Sequence, residues 1–471
     1  MVPSVKRLAR IGLWVLGGLA LLAAAAGILC LDGVDSRPYF REAYYAETAA
    51  RLRTMAETNS LARGELAAGF GRERLTPSVN APQDAPAQGQ FRSLPLAGYG
   101  GRHAKPAQGV HDELYVKAVA LKVNGRLGVI VGADALIIPA EVTELAVQKL
   151  QQERGLKREQ VYLGATHTHS SLGGWGEGLV AESFAGGFQP QARVWFADRI
   201  AAAVRDAIQD LKPARFGCGR FPAATFVRNR LVGTLGRVDP EFSYAVLEQA
   251  GGKRAVLGVF GAHATVLSSD MMEFSGDYPG SWQRAVEQAT GGMAIFIAGG
   301  VGSQSPVPGG RGSAGAEQMG QDLARMLVER LPQTPLTNSV AFGLLGLDVT
   351  MPPLNVRLSD GIRLRPWLAA RLVPAHSHSY LQVFRIADSV WISTPCDFSG
   401  ELALGIKESL QARGTSATVT SFNGDYVGYV IPSRYYHLAG YEPRLMSFFG
   451  PNVPDYFDEM IRSLTVALVS K

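Results

Sequence analysis

Two histidines separated by one residue stand at the end of an apolar run. Thr166-His167-Thr168-His169-Ser170 follows residues 161–165 and precedes Gly173-Gly174. In an extended segment residues i and i+2 face the same side, so both imidazoles can reach one cavity. That spacing suits a metal site, or one ligand beside one hydrogen-bond donor. A polar strand end with two hydrogen-bonded histidines is the plainer alternative. A third histidine, His263, lies in Gly261-Ala262-His263-Ala264-Thr265, directly after the apolar run 256–260. Taken alone, a histidine there is more often structural. His111, next to Asp112, stays open between a turn device and a functional pair. His103, His376, His378 and His437 sit in loop-like contexts and read as surface residues.

Two further clusters stand near predicted turns. Gly299-Gly300-Val301-Gly302-Ser303-Gln304-Ser305-Pro306 follows the apolar run 295–298. Its glycines let backbone approach a ligand closely. It lacks the Gly-Lys-Ser/Thr of a phosphate-binding loop and the register of a nucleophile elbow. Its plain reading is a turn with exposed serines. Asn423-Gly424-Asp425-Tyr426-Val427-Gly428-Tyr429 and the later Tyr441-Glu442 bring phenols to a turn. Taken alone they read as core or rim aromatics.

The elements that must position these groups alternate along the chain. Residues 116–123, 128–131, 161–165, 256–260, 293–298, 383–386 and 390–393 have strand character. Residues 141–154, 191–211, 317–331 and 399–412 have helical periodicity. Segment 77–90 is rich in Pro, Gln and Ala and reads as a surface loop. No internal repeat is visible. The expected fold is α/β, a mixed β-sheet core flanked by helices in a single large domain, with polar clusters at strand ends where such folds bind ligands.

Composition excludes several classes. Hydrophobic residues make up 46% of the 471 residues and charged ones 18%, which rules out a disordered chain. Three cysteines rule out a disulfide scaffold. The 54 glycines show no Gly-X-Y period, so collagen is excluded. No basic run with interleaved aromatics occurs, and no nucleic-acid partner is expected. Cys218 and Cys396 could pair in an oxidising compartment, though their sequence positions do not show it.

Lys6, Arg7 and Arg10 precede an uncharged run over residues 11–31. At the helical rise that run is about 31 Å long, enough to cross a bilayer core. The basic flank predicts the N-terminus inside and the rest of the chain outside the cytoplasm. An uncleaved signal anchor is favoured over a cleaved signal peptide, for which Ala23 to Ala26 offers a site, because the run is long. Cleavage would make the protein secreted. Leu29 before Cys30 argues against a lipoprotein. Without the three flank charges, 43 cationic residues face 41 acidic ones, so the exported part is nearly neutral. The expected organisation is a cytoplasmic flank over 1–10, a transmembrane anchor over 11–31, a helical stalk over 32–64 and a large globular body over 65–471. The stalk's amphipathic face carries Tyr45, Ala49, Leu52, Met55 and Ala56.

Taken in order, these motifs resemble the neutral ceramidase family, also called neutral/alkaline non-lysosomal ceramidases. The resemblance covers about residues 69–457, the family's catalytic part without its immunoglobulin-like C-terminal domain. It rests on Leu96-Ala97-Gly98-Tyr99-Gly100, on Gly109-Val110-His111-Asp112-Glu113-Leu114-Tyr115 and on Ala165-Thr166-His167-Thr168-His169-Ser170. It continues through Asn229-Arg230, Gly302-Ser303-Gln304-Ser305-Pro306, Tyr426-Val427-Gly428-Tyr429, Tyr441-Glu442 and Gly450-Pro451-Asn452.

The resemblance implies a zinc ion held by His167, His263, Asp397 and Tyr429. It implies that His169, Arg230 and Tyr441 line the amide and its oxyanion, and that Ser305 takes part in catalysis, as nucleophile or by positioning water. Two residues depart from the family pattern. Asp397 replaces a glutamate, so its backbone must come closer or a water must bridge. Ser303 replaces an aspartate that could have bonded Ser305 or a water. The implied function is a membrane-anchored, zinc-dependent amidohydrolase. Its lipid substrate would be ceramide or a relative, cleaved to a fatty acid and a sphingoid base. The alternatives are a zinc hydrolase of the same fold acting on another amide or ester, and a catalytically weakened homologue that binds lipid or envelope.

Overall fold

The computed structural model describes residues 5–373 and 376–469, so residues 1–4 of the basic flank lie outside it. The first helix, α1 (Val5–Cys30), carries the uncharged run. Its span Ala9–Cys30 has a mean hydropathy of 2.3 and none of it is buried against the rest of the protein. A short strand, Leu31–Gly33, follows at once and pairs antiparallel with Ile362–Leu364.

The expected stalk differs in one respect. Its helix, α2 (Ala43–Thr58), is present but lies against the body. Thr48 and Leu52, four residues apart, share a face and are buried. The Thr48 hydroxyl accepts from Tyr456 Oη at 2.7 Å and from the Thr350 amide at 2.9 Å. Tyr39 and Tyr45 both donate to Glu459, at 2.7 and 2.6 Å. The moderately apolar face seen in the sequence has found its partner in the C-terminal helix.

The body is built on a twelve-stranded mixed sheet. Its strands are β1 (Ala62–Arg74), β2 (Tyr115–Val123), β3 (Arg126–Ala133), β4 (Val161–Ala165), β5 (Lys212–Pro222) and β6 (Glu241–Gln249). They continue as β7 (Arg254–Phe260), β8 (Met293–Ala298), β9 (Ser339–Thr350), β10 (His378–Ile386), β11 (Ser389–Ser393) and β12 (Ser416–Thr420). The order β8-β7-β6-β5-β1-β9-β10-β11-β12 forms one path, and β2, β3 and β4 branch from β1. The arms fold over a shared core. Val119, Ile130 and Tyr162 of the branch meet Leu257, Ile295 and Ile297 on one side and Phe384 and Trp391 on the other. Helices cover the outer faces: α3 (Ala140–Arg154) with α4 (Pro190–Gln209), α5 (Asp277–Thr290) with α6 (Gly312–Val328), and α7 (Gly400–Gln411) with α8 (Val453–Val469).

The long strand β1 is rich in Ala and Gly, and glycine is what lets α4 reach it. A Cβ on Gly71 would stand 2.0 Å from the Ala203 carbonyl oxygen. Gly71→Ala must push the helix off the strand, which is expected to cost about 1–3 kcal/mol of stability. Thermal unfolding checks this, and an unchanged midpoint would contradict the packing.

Within this sheet three strand pairs are parallel: β3 with β4, β7 with β8, and β11 with β12. The polar clusters leave the C-terminal ends of β4, β7, β8, β11 and β12. Backbone bonds stitch these ends together. Thr166 donates to the Ala133 carbonyl, Gly299 to that of Phe260, Ser421 to that of Ala298, and Thr394 to that of Thr420. Such a convergence is where open α/β sheets bind ligands. Cys218 and Cys396 are unbridged. They stand against different core clusters, Cys218 beside the inter-arm core and Cys396 under α7, so the disulfide considered from sequence does not form.

Candidate metal centre and active site

His167, His169 and His263 converge. Their ligand atoms all lie within 4.8 Å of one another. The His167 and His263 Nε2 atoms are 2.8 Å apart, and His169 Nε2 is 3.4 Å from His167 Nε2. His167 sits in the left-handed backbone region, with φ of 62°. That strained conformation is sustained by the stack of Phe422 on its ring, with centroids 4.2 Å apart, and by its Nδ1 bond to the Leu136 carbonyl. The two imidazoles expected at one cavity from i, i+2 spacing do converge, although His167 itself is not extended.

The tautomers follow from the backbone. His167 Nδ1 lies 2.7 Å from the Leu136 oxygen, and His263 Nδ1 lies 3.3 Å from the Val301 oxygen. A carbonyl only accepts, so each Nδ1 carries a proton, and a neutral ring then leaves a lone pair on Nε2. With both rings neutral, two lone pairs facing at 2.8 Å repel unless a cation stands beside them. Burial, with Arg230 nearby, holds the His263 ring well below the usual imidazole pKa. Burial and His167 do the same for His169. Both stay neutral at pH 7, the state in which imidazole binds metal.

Asp397 completes the cluster. Its Oδ1 lies 3.3 Å from His167 Nε2 and 4.0 Å from His263 Nδ1, is buried, and has no hydrogen-bond partner. A buried carboxylate oxygen without a partner is costly unless a cation faces it. Nitrogen and carboxylate donors so arranged fit a zinc ion. The shorter side chain reaches because the backbone comes close. The Gly302 amide donates to Phe398 at 2.8 Å, and a Cβ on Gly302 would meet the Asp397 carbonyl oxygen at 2.2 Å.

The other carboxylate oxygen, Oδ2, accepts from Tyr426 Oη at 2.8 Å. Tyr426 thereby turns Oδ1 toward the histidines. Losing such an outer partner typically weakens metal affinity about 10–100-fold. Tyr426→Phe is expected to do so with an unchanged fold, read by competition with a chelator. Unchanged affinity would deny Tyr426 this role.

Tyr429 stands opposite Asp397 in a parallel two-residue ladder. Its hydroxyl accepts from Arg230 Nη2 at 3.0 Å. Burial, reinforced by Asp397, pushes its phenol pKa well above the ordinary value, so it is protonated where no cation binds it. Arg230 Nε is also 2.9 Å from Glu442 Oε1. The Arg230 amide donates to Ser303 at 2.8 Å, while Asn229 Oδ1 accepts from the Leu231 and Val232 amides and shapes the turn. Tyr441 is half-exposed with its ring 5.7 Å from that of Tyr429. Arg230, Tyr429 and Tyr441 thus form one wall.

Ser305 is half-buried on a short strand, Gln304–Pro306, paired with Val227–Asn229. It makes no side-chain hydrogen bond to the histidines, Asp397 or Arg230 among the described residues. Ser303 is used elsewhere: its hydroxyl meets Ser399 Oγ at 2.9 Å, at the start of α7.

Two supporting residues went unseen in the sequence. Phe422 stacks on His167 but follows a strand end with no motif of its own. Arg102 is buried and has no carboxylate partner among the described residues. It donates to the His169 carbonyl, to Ser170 Oγ at 3.2 Å and to Met271 at 2.8 Å, pinning the histidine loop to the segment after His263. Its position within the Gly-Arg-His turn after Tyr99 was its one available signal.

Residues 85–304 match the family model described as neutral/alkaline non-lysosomal ceramidase, N-terminal. The chain is 26% identical over 237 residues to neutral ceramidase of Pseudomonas aeruginosa, covering 46% of this chain and 35% of that protein. It is 27% identical over 237 residues to neutral ceramidase of Mycobacterium tuberculosis, covering 45% and 36%. The matched segment thus spans about a third of each relative's length. The fold is similar to the crystal structure of neutral ceramidase from Pseudomonas aeruginosa, with a TM-score of 0.70 at 19% identity over 86% of this chain and 75% of that one. A structure of ceramidase complexed with C2 is similar to the same degree, with a TM-score of 0.71 at 19% identity over 86% and 76%. These likenesses bear out the mixed sheet with helices in one large domain.

Proposed function

Through residues 85–304 the chain belongs to the neutral/alkaline non-lysosomal ceramidase family, and from this we propose that it is a zinc-dependent amidohydrolase of ceramide or a closely related lipid. One observation carries the reading: three imidazoles and an unpartnered buried carboxylate converge at the sheet's C-terminal edge. His167, His263 and Asp397 would hold the zinc, with Tyr429 as the fourth ligand that the resemblance implies. Zinc in such a site supplies a Lewis acid for an amide carbonyl and acidifies water.

The chain's own groups do the rest. Arg230, held by Tyr429 and Glu442, presents a preoriented cation to the oxygen that becomes negative as the carbonyl is attacked. Tyr441 offers a phenolic proton to the same oxygen. His169, neutral and beside His167, can accept a proton from the attacking water or hydroxyl and return it to the departing amine as the C–N bond breaks. Ser305, whose hydroxyl bonds none of the site's side chains among the described residues, would act as nucleophile or position water. A small cleft of about 60 Å³ lies beside Tyr426, lined by Ile137, Trp175, Val180, Phe184 and Phe448 together with Glu141, Glu177 and Asp425. Tyr426 links it to Asp397.

The same reading makes α1 an uncleaved anchor, with the body outside the cytoplasm beside its lipid substrate. The test is release of labelled fatty acid from N-acyl sphingosine by the purified full chain. Release supports the reading. Cleavage of other amides or esters with none of ceramide would move the substrate class, and no hydrolysis by zinc-loaded protein would overturn it.

A further inference from the structure

The end of α1 is built into the body rather than tethered to it. Trp367 Nε1 donates to the Leu29 carbonyl at 3.2 Å. Arg365 Nε donates to the carbonyls of Ile28 and Leu31 at 3.0 and 3.1 Å, and its amide to that of Cys30 at 2.8 Å. These bonds satisfy carbonyls that a helix C-terminus leaves unpaired. The ladder Leu31↔Leu364, Asp32↔Arg363, Gly33↔Ile362 then fixes the next residues.

A second set of bonds runs from this unit to the active site. The Leu358 amide donates to Ile362 at 2.9 Å, closing a tight hairpin. Arg357 Nη2 donates to the Pro443 carbonyl at 2.6 Å, and Arg444 pairs with Asp360. The hairpin therefore holds the turn Tyr441–Leu445, whose Tyr441 stands on the wall of the site. Along this connected surface Leu358, Ile362, Trp367, Tyr441 and Leu445 are 54%, 45%, 49%, 51% and 61% exposed. A large apolar residue exposed singly is ordinary, whereas five on one braced unit call for a covering partner.

We propose that this face, residues 357–372 with the turn 441–445, seats in the headgroup–acyl boundary of the bilayer that α1 crosses. The inference rests on the reading of α1 as a membrane span. Leu29 is at the end of that span, so the Trp367 bonded to it lies at the same depth, where tryptophan is favoured. The Arg371 guanidinium, 4.8 Å over the Trp367 ring, supplies a cation at headgroup level. Through the hairpin and turn, the rim at Tyr441 is held against the same leaflet. A two-tailed lipid amide would then pass from leaflet to site without crossing water, and the face acts as its entrance.

The test uses the full chain in phosphatidylcholine vesicles, with Cys30→Ser and Cys218→Ser to remove the accessible thiols. Single cysteines at Leu16, Leu358 and Leu445 carry a bimane label, and bromines placed shallow or deep in the lipid chains quench it. Leu16 is thirteen residues before Leu29, about 20 Å deeper along the helix. The expected result is loss of emission by the 358 and 445 labels with shallow bromines and by the 16 label with deep ones. Quenching at 16 with none at 358 and 445 would overturn the seated face while leaving the anchor intact. No quenching at 16 would overturn the anchor, and the face with it. Neither readout depends on hydrolysis.

Discussion

His167→Ala is expected to abolish both metal binding and turnover. His167 is the centre of the cluster, within 3.4 Å of His169, His263 and Asp397 ligand atoms. Loss of an outer-shell partner alone costs about 10–100-fold in metal affinity, and loss of this inner donor must exceed that. The substitution also removes a ring stacked on Phe422 and places alanine at a left-handed φ. His167→Asn separates these effects, because asparagine tolerates that conformation at little cost. Equilibrium dialysis with zinc is expected to show no high-affinity binding in either variant, with the asparagine variant keeping its unfolding midpoint. Wild-type zinc affinity in His167→Asn would refute the ligand assignment.

Arg230→Ala is expected to lower kcat about 10²–10³-fold, the usual loss for one donor to a developing oxyanion. KM should move little, because the interaction strengthens only as charge develops. The guanidinium is already fixed by Tyr429 Oη and Glu442. Arg230→Lys keeps the charge but loses the fork that makes both contacts, so it should recover only part of the rate. Steady-state kinetics on a soluble short-chain amide reads the split. A rise in KM with kcat intact would make Arg230 a binding residue instead.

Much of the architecture was legible where local signals were strong. The apolar runs ending in His167, His263 and the Gly299–Ser305 turn became strands with those residues at their C-terminal ends. The helices over 141–154 and 191–211 matched α3 and α4 to within two residues. The misses have physical causes. β1 is Ala- and Gly-rich because α4 presses on Gly69 and Gly71, so it lacks the β-branched residues that mark a strand. The amphipathic α2 read as a stalk because its partners, Thr350 and Tyr456, lie some 300 to 400 residues away in sequence. In the site, the histidines and Arg230 stood out by type and motif. Phe422 and Arg102 did not, because their roles are contacts that exist only once distant loops meet.

The central claim is that this histidine–aspartate cluster binds the metal on which hydrolysis depends. The most direct measurement is the zinc content of the purified full chain, followed on one sample through chelation and zinc readdition while ceramide hydrolysis is recorded. The expected result is one zinc per chain, activity lost in step with its removal, and activity restored with it. Full hydrolysis by the zinc-free chain, or zinc bound equally by His167→Asn, would contradict it.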